Sequence, residues 1–163
     1  GVVVSGRVAE SFWSEPGRVT FRHGQTYAGH AAVCAAGLAN LAIMEREGLV
    51  TKGQELERVL YDALAPLAEH PLVGEVRGGT GTMASVAFSP ELLERDPATP
   101  VKAYRAVRKH GVILRALGVG LAFSPPLVIT AEEIVEMADA VRAGLDEMLE
   151  TTEVPQQQVA ARS

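Results

Sequence analysis

Residues 21–30 read Phe-Arg-His-Gly-Gln-Thr-Tyr-Ala-Gly-His, and the alanine-rich stretch Ala31–Glu47 that follows predicts a long helix of low polarity. Glycines flank the hydroxyl pair Thr26 and Tyr27 just ahead of that helix. A helix N-terminus offers unpaired N–H groups and a partial positive charge, and glycine lets an anion approach the backbone closely. The stretch therefore predicts a phosphate or carboxylate seat. The alternative is an ordinary loop in which Thr26 or Tyr27 caps the helix.

Composition limits the class of protein. At 163 residues the chain is long enough for one domain or slightly more, and its 47% apolar content can fill a core. The net charge of −5, with scattered lysines and arginines, argues against nucleic acid as a partner. The single Cys34 excludes an internal disulfide and predicts a reducing, cytoplasmic setting. No apolar run is long enough to predict a membrane span.

The chain opens with Gly1–Ser5, a β-branched run without alternation that predicts a strand covered on both faces. A short helix is predicted over Gly6–Trp13. Because the sequence begins with Gly1 and not with methionine, we expect a piece of a longer protein. Gly48 is a suitable residue to end the alanine-rich helix.

The following segment predicts a second helix and then an α+β unit over Leu72–Leu149. Thr51 and Gln54 match a capping box at the start of the helix, Pro66 predicts a kink, and His70-Pro71 a stop. Four strands are predicted, around a turn at residues 78–81 and a hairpin at Leu117-Gly118: Val73–Arg77, Thr82–Phe88, Val112–Ala116 and Val119–Phe123.

Two further helices complete the predicted α+β unit. One begins with Thr99 as its cap and places Val101, Tyr104 and Val107 on a single face. The last begins at a capping box formed by Thr130 and Glu133. Residues 151–163 are polar and aperiodic, which predicts a disordered tail.

Arg115 is the charged residue that stands out, since its neighbours from Val112 to Leu117 are all apolar. A buried guanidinium without a partner is costly, so the pattern predicts an anionic partner. Bidentate binding of a substrate carboxylate would supply one. A distant Asp or Glu, or an arginine reaching solvent at a strand end, would also explain it.

Other groups of reactive residues give weaker signals. His23 and His30 have no third ligand beside them, so no metal site is predicted. The three lysines, Lys52, Lys102 and Lys109, fall on polar faces or ends of predicted helices, and none looks desolvated enough to form a Schiff base. No catalytic residue is predicted within this chain.

The motif from His23 to His30, with the helix after it and its Glu45–Leu49 end, resembles the class III (omega) aminotransferases. The resemblance continues, in the family's order, through these stretches: Val76–Gly78, Gly111–Arg115, Phe123–Leu127 and Ile129–Ile134. It implies a pyridoxal-phosphate enzyme of fold type I, of which this chain is the C-terminal portion. Residues 1–48 would then be the end of the large cofactor-binding domain with a connecting helix, and residues 49–150 the small α+β domain.

The resemblance also implies roles for individual residues. Thr26, assisted by the backbone N–H groups of Gln25 and Thr26, would bind the phosphate of pyridoxal 5'-phosphate held by the neighbouring subunit of a homodimer or higher oligomer. Arg115 would pair with the substrate carboxylate and swing away for uncharged amines. The family usually has proline where this sequence has Ala31, which softens the helix start but leaves Thr26 in place.

The implied reaction moves an amino group between an amine or amino acid and a 2-oxo acid through pyridoxal and pyridoxamine phosphate. The family's Schiff-base lysine would lie upstream of Gly1, so we expect the chain alone to be inert unless an N-terminal part complements it. Two other classes stay open: a free-standing α+β module that binds a carboxylate through Arg115, and an assembly domain whose Gly1–Ser5 strand completes a partner's sheet.

Overall fold

The computed structural model of the chain describes residues 4–13 and 24–151. The chain divides into two compact units, Gly1–Ile43 and Met44–Ser163. The tail predicted beyond residue 151 lies outside the described residues, as does His23.

The first unit contains helix α1, Gly6–Trp13, and most of helix α2, Ala31–Arg46, whose last turn belongs to the second unit. Both helices match the predicted ranges to within a residue. Of the strand predicted over residues 1–5, only Val4 and Ser5 are described, and they lie in irregular backbone ahead of α1. The Ser5 carbonyl accepts the first hydrogen bonds of that helix, from the N–H groups of Val8 and Ala9. Ser5 therefore occupies the capping position of α1.

The second unit is an α+β fold with a four-stranded antiparallel sheet in the order β1-β2-β4-β3. Its helices are α3, Leu49–Leu64, which continues as a 3₁₀ segment over Ala65–Glu69; α4, Pro90–Arg95; α5, Thr99–Lys109; and α6, Ala131–Thr151. Its strands are β1, Val73–Thr80; β2, Met83–Phe88; β3, Arg115–Leu117; and β4, Gly120–Phe123. The number of strands and the α+β character confirm the prediction from sequence.

The two capping boxes had different outcomes. At α6 the box is present: the Thr130 N–H donates to Glu133 Oε2 at 2.8 Å, and the Glu133 N–H donates to Thr130 Oγ1 at 3.2 Å. The box predicted at Thr51 is wrong, because α3 begins at Leu49 directly after Gly48. Gly48 has a φ of 61°, a left-handed conformation that lets the chain turn from α2 straight into α3.

The face predicted for α5 was right in part. Val107 is buried and Tyr104 packs against the core, but Val101 is 45% exposed, and the helix also buries Thr99, Pro100, Ala103 and Ala106. Small residues at the interface let α5 approach α6 closely: a Cβ on Gly144 would lie 2.7 Å from the backbone nitrogen of Val107. Close helix packing thus outweighs the burial of the larger Val101 side chain.

Two strand predictions were wrong in length. Strand β1 runs on to Thr80, so the turn moves to residues 81–82, with Gly79 and Gly81 at positive φ. Strand β3 covers only Arg115–Leu117, because it pairs only with Gly120–Ala122 of β4. Beyond Phe123 the chain enters Ser124-Pro125-Pro126, and proline has no N–H to extend the ladder.

The core of the second unit joins α3, α5 and α6 to the sheet. It is built from leucine, valine, isoleucine, phenylalanine, methionine and alanine side chains, and its largest fully buried members are Phe123, Leu60, Leu64, Leu67, Leu72, Leu121, Ile134 and Leu145. Phe123 and Leu121 come from β4, so the strand that leads into the proline segment is also a main contributor to the core.

His70 is a buried polar residue at the end of the 3₁₀ segment, with its side chain 2% exposed. Its Nδ1 accepts a hydrogen bond from the Leu72 N–H at 3.2 Å, so the neutral ring carries its proton on Nε2, which lies 3.3 Å from Asp146 Oδ1. Burial lowers the pKa of His70 below its ordinary 6.5; Asp146 opposes this shift and Arg142 adds to it.

This histidine predicts an acid-sensitive contribution to stability. Between its lowered folded pKa and 6.5 the unfolded chain binds the extra proton, so the free energy of unfolding should fall as pH falls below 6.5. The slope from one such group is at most about 1.4 kcal/mol per pH unit. Urea unfolding at pH 7.5, 6.5 and 5.5 measures it. His70→Asn, which keeps an acceptor for Leu72 but does not titrate, should flatten the curve in that window; an unchanged slope would assign the acid sensitivity to other groups.

Candidate active site

The segment Gly24–His30 forms a tight turn directly before α2. The Ala28 N–H donates to the Gln25 carbonyl at 2.9 Å, and the His30 N–H donates to the Tyr27 carbonyl at 3.1 Å. The His30 carbonyl accepts from the Cys34 N–H, so His30 occupies the capping position. The interpretation of Thr26 or Tyr27 as the cap is therefore wrong.

Within the described residues, Gln25 and Thr26 have hydrogen-bond donors without an acceptor. Both side chains are exposed, and neither residue donates a hydrogen bond, from backbone or side chain, to any other residue within 4–13 and 24–151. A Cβ on Gly24 or Gly29 would meet no atom within 4 Å, so the surroundings of the turn are open. A hydroxyl and adjacent free N–H groups are the donor set that a phosphate requires, so the residues present fit that group.

Arg115 is the first residue of β3, and its side chain is exposed. Of the explanations that the sequence left open for Arg115, an arginine reaching solvent at a strand end is the one observed. The strand predicted from Val112 was wrong, because Val112–Leu114 is irregular and Ile113 is 73% exposed. Within the described part of the chain, the guanidinium forms no ion pair or hydrogen bond. Its charge is available to a ligand.

Arg115 lies in the wall of a cleft of about 770 Å³ in the second unit. The other lining residues are mostly apolar and come from β2, β3, β4, the segments before β3 and after β4, and α6: Met83, Ala84, Gly111, Val112, Ile113, Leu114, Leu117, Ala122, Phe123, Ser124, Pro125, Pro126, Ile129 and Met137. Among these described residues Arg115 is the one charged member. A planar guanidinium in this setting can bind a carboxylate through two parallel N–H donors, while the apolar walls contact the rest of the ligand.

Sequence reasoning found Arg115 but missed the walls around it. Pro125, Pro126, Ile129 and Met137 are far from Arg115 in sequence and meet it only through the β3–β4 pairing and the start of α6. The Ser124-Pro125-Pro126 break was visible as the end of a strand, but nothing local links such a break to a cleft. The predicted residues fall on different units, with Gln25 and Thr26 in the first and Arg115 in the second.

The three lysines of the sequence are all described, and each has a partner on the surface. Lys52 donates to the Val128 carbonyl at 3.4 Å, Lys102 pairs with Asp96 at 2.6 Å, and Lys109 pairs with Glu147. A Schiff-base lysine needs a neutral, desolvated amine, and charged partners favour the ammonium form.

The described residues contain neither a metal-binding cluster nor a membrane-spanning helix. Within residues 4–13 and 24–151, no three His, Cys, Asp or Glu side chains converge in a way that could hold a metal ion. In the same residues, no helix combines the length and the hydropathy needed to cross a bilayer.

Comparison with known proteins identifies the family. The model of the family described as Aminotransferase class-III matches residues 3–145. The chain belongs to the class-III aminotransferases. Among its relatives, a diaminobutyrate–2-oxoglutarate transaminase of Halomonas elongata is 43% identical over 84% of this chain and 31% of its own length. A putrescine–pyruvate aminotransferase of Pseudomonas aeruginosa is 35% identical over 90% of this chain and 32% of its own length.

Solved structures agree with this assignment. An (S)-enantioselective omega-transaminase from Thermomicrobium roseum superposes with a TM-score of 0.72 at 34% identity, covering 90% of this chain and 33% of that one. The prediction of the family and of fold type I is confirmed. This class-III aminotransferase chain spans about a third of the length of the curated relatives it matches.

Proposed function

We propose that the chain is the C-terminal part of a pyridoxal-phosphate-dependent aminotransferase that moves an amino group between an amine or amino acid and a 2-oxo acid. The observation that carries the proposal is the class-III match over residues 3–145, in a structure whose cleft contains Arg115 on an otherwise apolar wall. The two relatives named above use different 2-oxo acids, according to their names, so the proposal stops at this substrate class.

Arg115 is proposed to bind the carboxylate of the 2-oxo acid or amino acid. Its guanidinium forms no ion pair within the described residues and can offer two parallel N–H donors, which match a carboxylate. The apolar lining removes water from the rest of the substrate, so the carboxylate contact fixes which end of the molecule faces the arginine. Uncharged amines would use the same cleft without that contact.

Gln25 and Thr26 are proposed to hold the phosphate of pyridoxal 5'-phosphate in the neighbouring subunit of a homodimer. The support is the exposed turn before α2, where the Thr26 hydroxyl and the backbone N–H groups of both residues have no acceptor within the described residues. When bound, the cofactor supplies the electron sink for amino-group transfer. The role of this chain is to position the phosphate of the cofactor.

The lysine that binds the cofactor is proposed to come from the remaining part of the whole protein. The support is the contact of each of the three lysines with a carboxylate or carbonyl on the surface, together with coverage of about a third of the relatives. The chain by itself should therefore be inert.

The proposal is tested with the whole protein that carries this chain, compared with the chain alone. The whole protein should transfer an amino group from an amine to a 2-oxo acid and show a cofactor absorbance that borohydride fixes covalently. The chain alone should show neither. Thr26→Ala in the whole protein should weaken cofactor retention on dialysis.

Two results would contradict the proposal in different ways. If the whole protein binds the cofactor but transfers no amino group, the proposed reaction is contradicted. Fixation of the cofactor by borohydride on the isolated chain would show that a lysine of this chain serves as the Schiff-base residue.

A further inference from the structure

The segment between β4 and α6, residues 124–130, forms one wall of the cleft that Arg115 lines, through Pro125, Pro126 and Ile129. Both of its ends are fixed. Phe123 before it is buried in the core, and the Thr130–Glu133 capping box holds its other end at α6. The Ile129 N–H donates to the Pro126 carbonyl at 3.0 Å and closes a turn in the middle.

Helix α3 supports this segment from the side. Lys52 Nζ donates to the Val128 carbonyl at 3.4 Å. The next residue, Gly53, is buried, and a Cβ there would lie 3.1 Å from Leu127 Cδ2. Leu127 therefore rests directly on the backbone of α3, at the one place in that helix that has no side chain.

Glycine inside a helix is less favourable than alanine because it loses more backbone freedom on folding, so Gly53 lowers the stability of α3. The contact with Leu127 gives a physical reason for its presence. A larger residue would move Leu127 outward, and the movement would pass to Pro126 and Val128 through the chain on each side of Leu127.

We propose that Gly53 is a positioning residue for the substrate carboxylate. Because Gly53 has no side chain, Leu127 can pack directly against α3. This packing fixes the position of Pro125 and Pro126, which line the cleft that contains Arg115. The inference rests on the proposed function, since it assigns the 2-oxo acid to this cleft. It makes Gly53 a determinant of substrate affinity although the residue does not line the cleft.

The test uses Gly53→Ala and Gly53→Leu in the whole aminotransferase. A Cβ 3.1 Å from Leu127 Cδ2 requires Leu127 to shift by only a few tenths of an ångström, so the melting temperature of Gly53→Ala should stay the same or rise. The KM for the 2-oxo acid should nevertheless rise, by about 3-fold for alanine and about 10-fold for leucine, with kcat changed by less than about 2-fold. A merely structural role would lower the melting temperature and leave KM unchanged.

A matched control and a rescue make the assignment specific. Gln54 is the exposed neighbour of Gly53 on α3, so Gln54→Ala should leave KM and kcat unchanged. In a Leu127→Ala background the clashing methyl is gone, so adding Gly53→Ala should no longer raise KM.

The inference is overturned if Gly53→Ala and Gly53→Leu both leave KM unchanged, or if Gly53→Ala raises KM equally with and without Leu127→Ala. Arg115→Ala in the same series distinguishes a failure of the positioning role of Gly53 from a failure of the proposed function on which it rests. If Arg115→Ala impairs carboxylate substrates while the Gly53 variants behave as the wild type, only the positioning role fails. If Arg115→Ala has no effect on carboxylate substrates, the proposed use of the cleft fails.

Discussion

Replacing Gly120 with alanine should prevent the second unit from folding stably. A Cβ at this position would lie 2.1 Å from the Val86 carbonyl oxygen and 2.8 Å from the Ala87 Cα, both of them backbone atoms of the neighbouring strand. A flexible side chain could move aside, but these atoms can move only if β2 and β4 separate. The loss should be about 3–5 kcal/mol, which is a large part of the stability of an ordinary domain.

The position of Gly120 in the sheet explains why this loss cannot stay local. Gly120 pairs with Ala87 of β2 on one side and with Leu117 of β3 on the other. Separation there would weaken the pairing of β4 on both sides and disturb Leu121, which is fully buried. Arg115 would lose its fixed position, because β3 pairs only with β4.

Urea unfolding followed by circular dichroism measures the effect, and Gly118→Ala is the matched control. Gly118 lies in the turn between β3 and β4, two residues before Gly120, yet a Cβ there would meet no atom within 4 Å. We expect Gly118→Ala to change the free energy of unfolding by less than about 1 kcal/mol. Similar losses in the two variants would mean that the turn, and not the approach of β2 to β4, requires glycine.

The features that the sequence predicted well are those set by neighbouring residues. The Thr130–Glu133 capping box is a local motif, and the helix at its start follows directly from it. Gly48 ends α2 as expected because its role depends only on its own φ. The Thr51–Gln54 pattern failed although it was equally regular, because Gly48 had already turned the chain into α3.

The features that the sequence did not predict depend on contacts between distant segments. The buried face of α5 follows from its close approach to Gly144 of α6, which no pattern within α5 reveals. The sequence left the exposure of Arg115 open, because the start of β3 at Arg115 is set by its pairing with β4. The proposed role of Thr26 came from the family resemblance, since the turn alone predicts an anion seat without naming the anion.

In the whole aminotransferase, Arg115→Ala should impair the reaction of carboxylate substrates far more than the reaction of uncharged amines. Removing a charged bidentate donor should lower kcat/KM for 2-oxo acids and amino acids by about 100-fold, in line with the cost of losing hydrogen bonds to a charged group. An uncharged amine makes no use of the guanidinium, so its half-reaction should change by less than about 3-fold. Arg115→Lys keeps the charge but loses the paired donors. Its kcat/KM for 2-oxo acids and amino acids should therefore lie between that of Arg115→Ala and that of the wild type.

Single-turnover kinetics of each half-reaction measure this difference, and Arg105→Ala is the matched control. Arg105 is an exposed arginine of α5 that lies outside the cleft and pairs with no other residue in the described part of the chain. Arg105→Ala should leave both half-reactions unchanged. Because Arg115 is also exposed and forms no ion pair with a described residue, its loss should change the free energy of unfolding by less than about 0.5 kcal/mol. Equal losses for acids and neutral amines would show that Arg115 supports the cleft and does not bind the carboxylate.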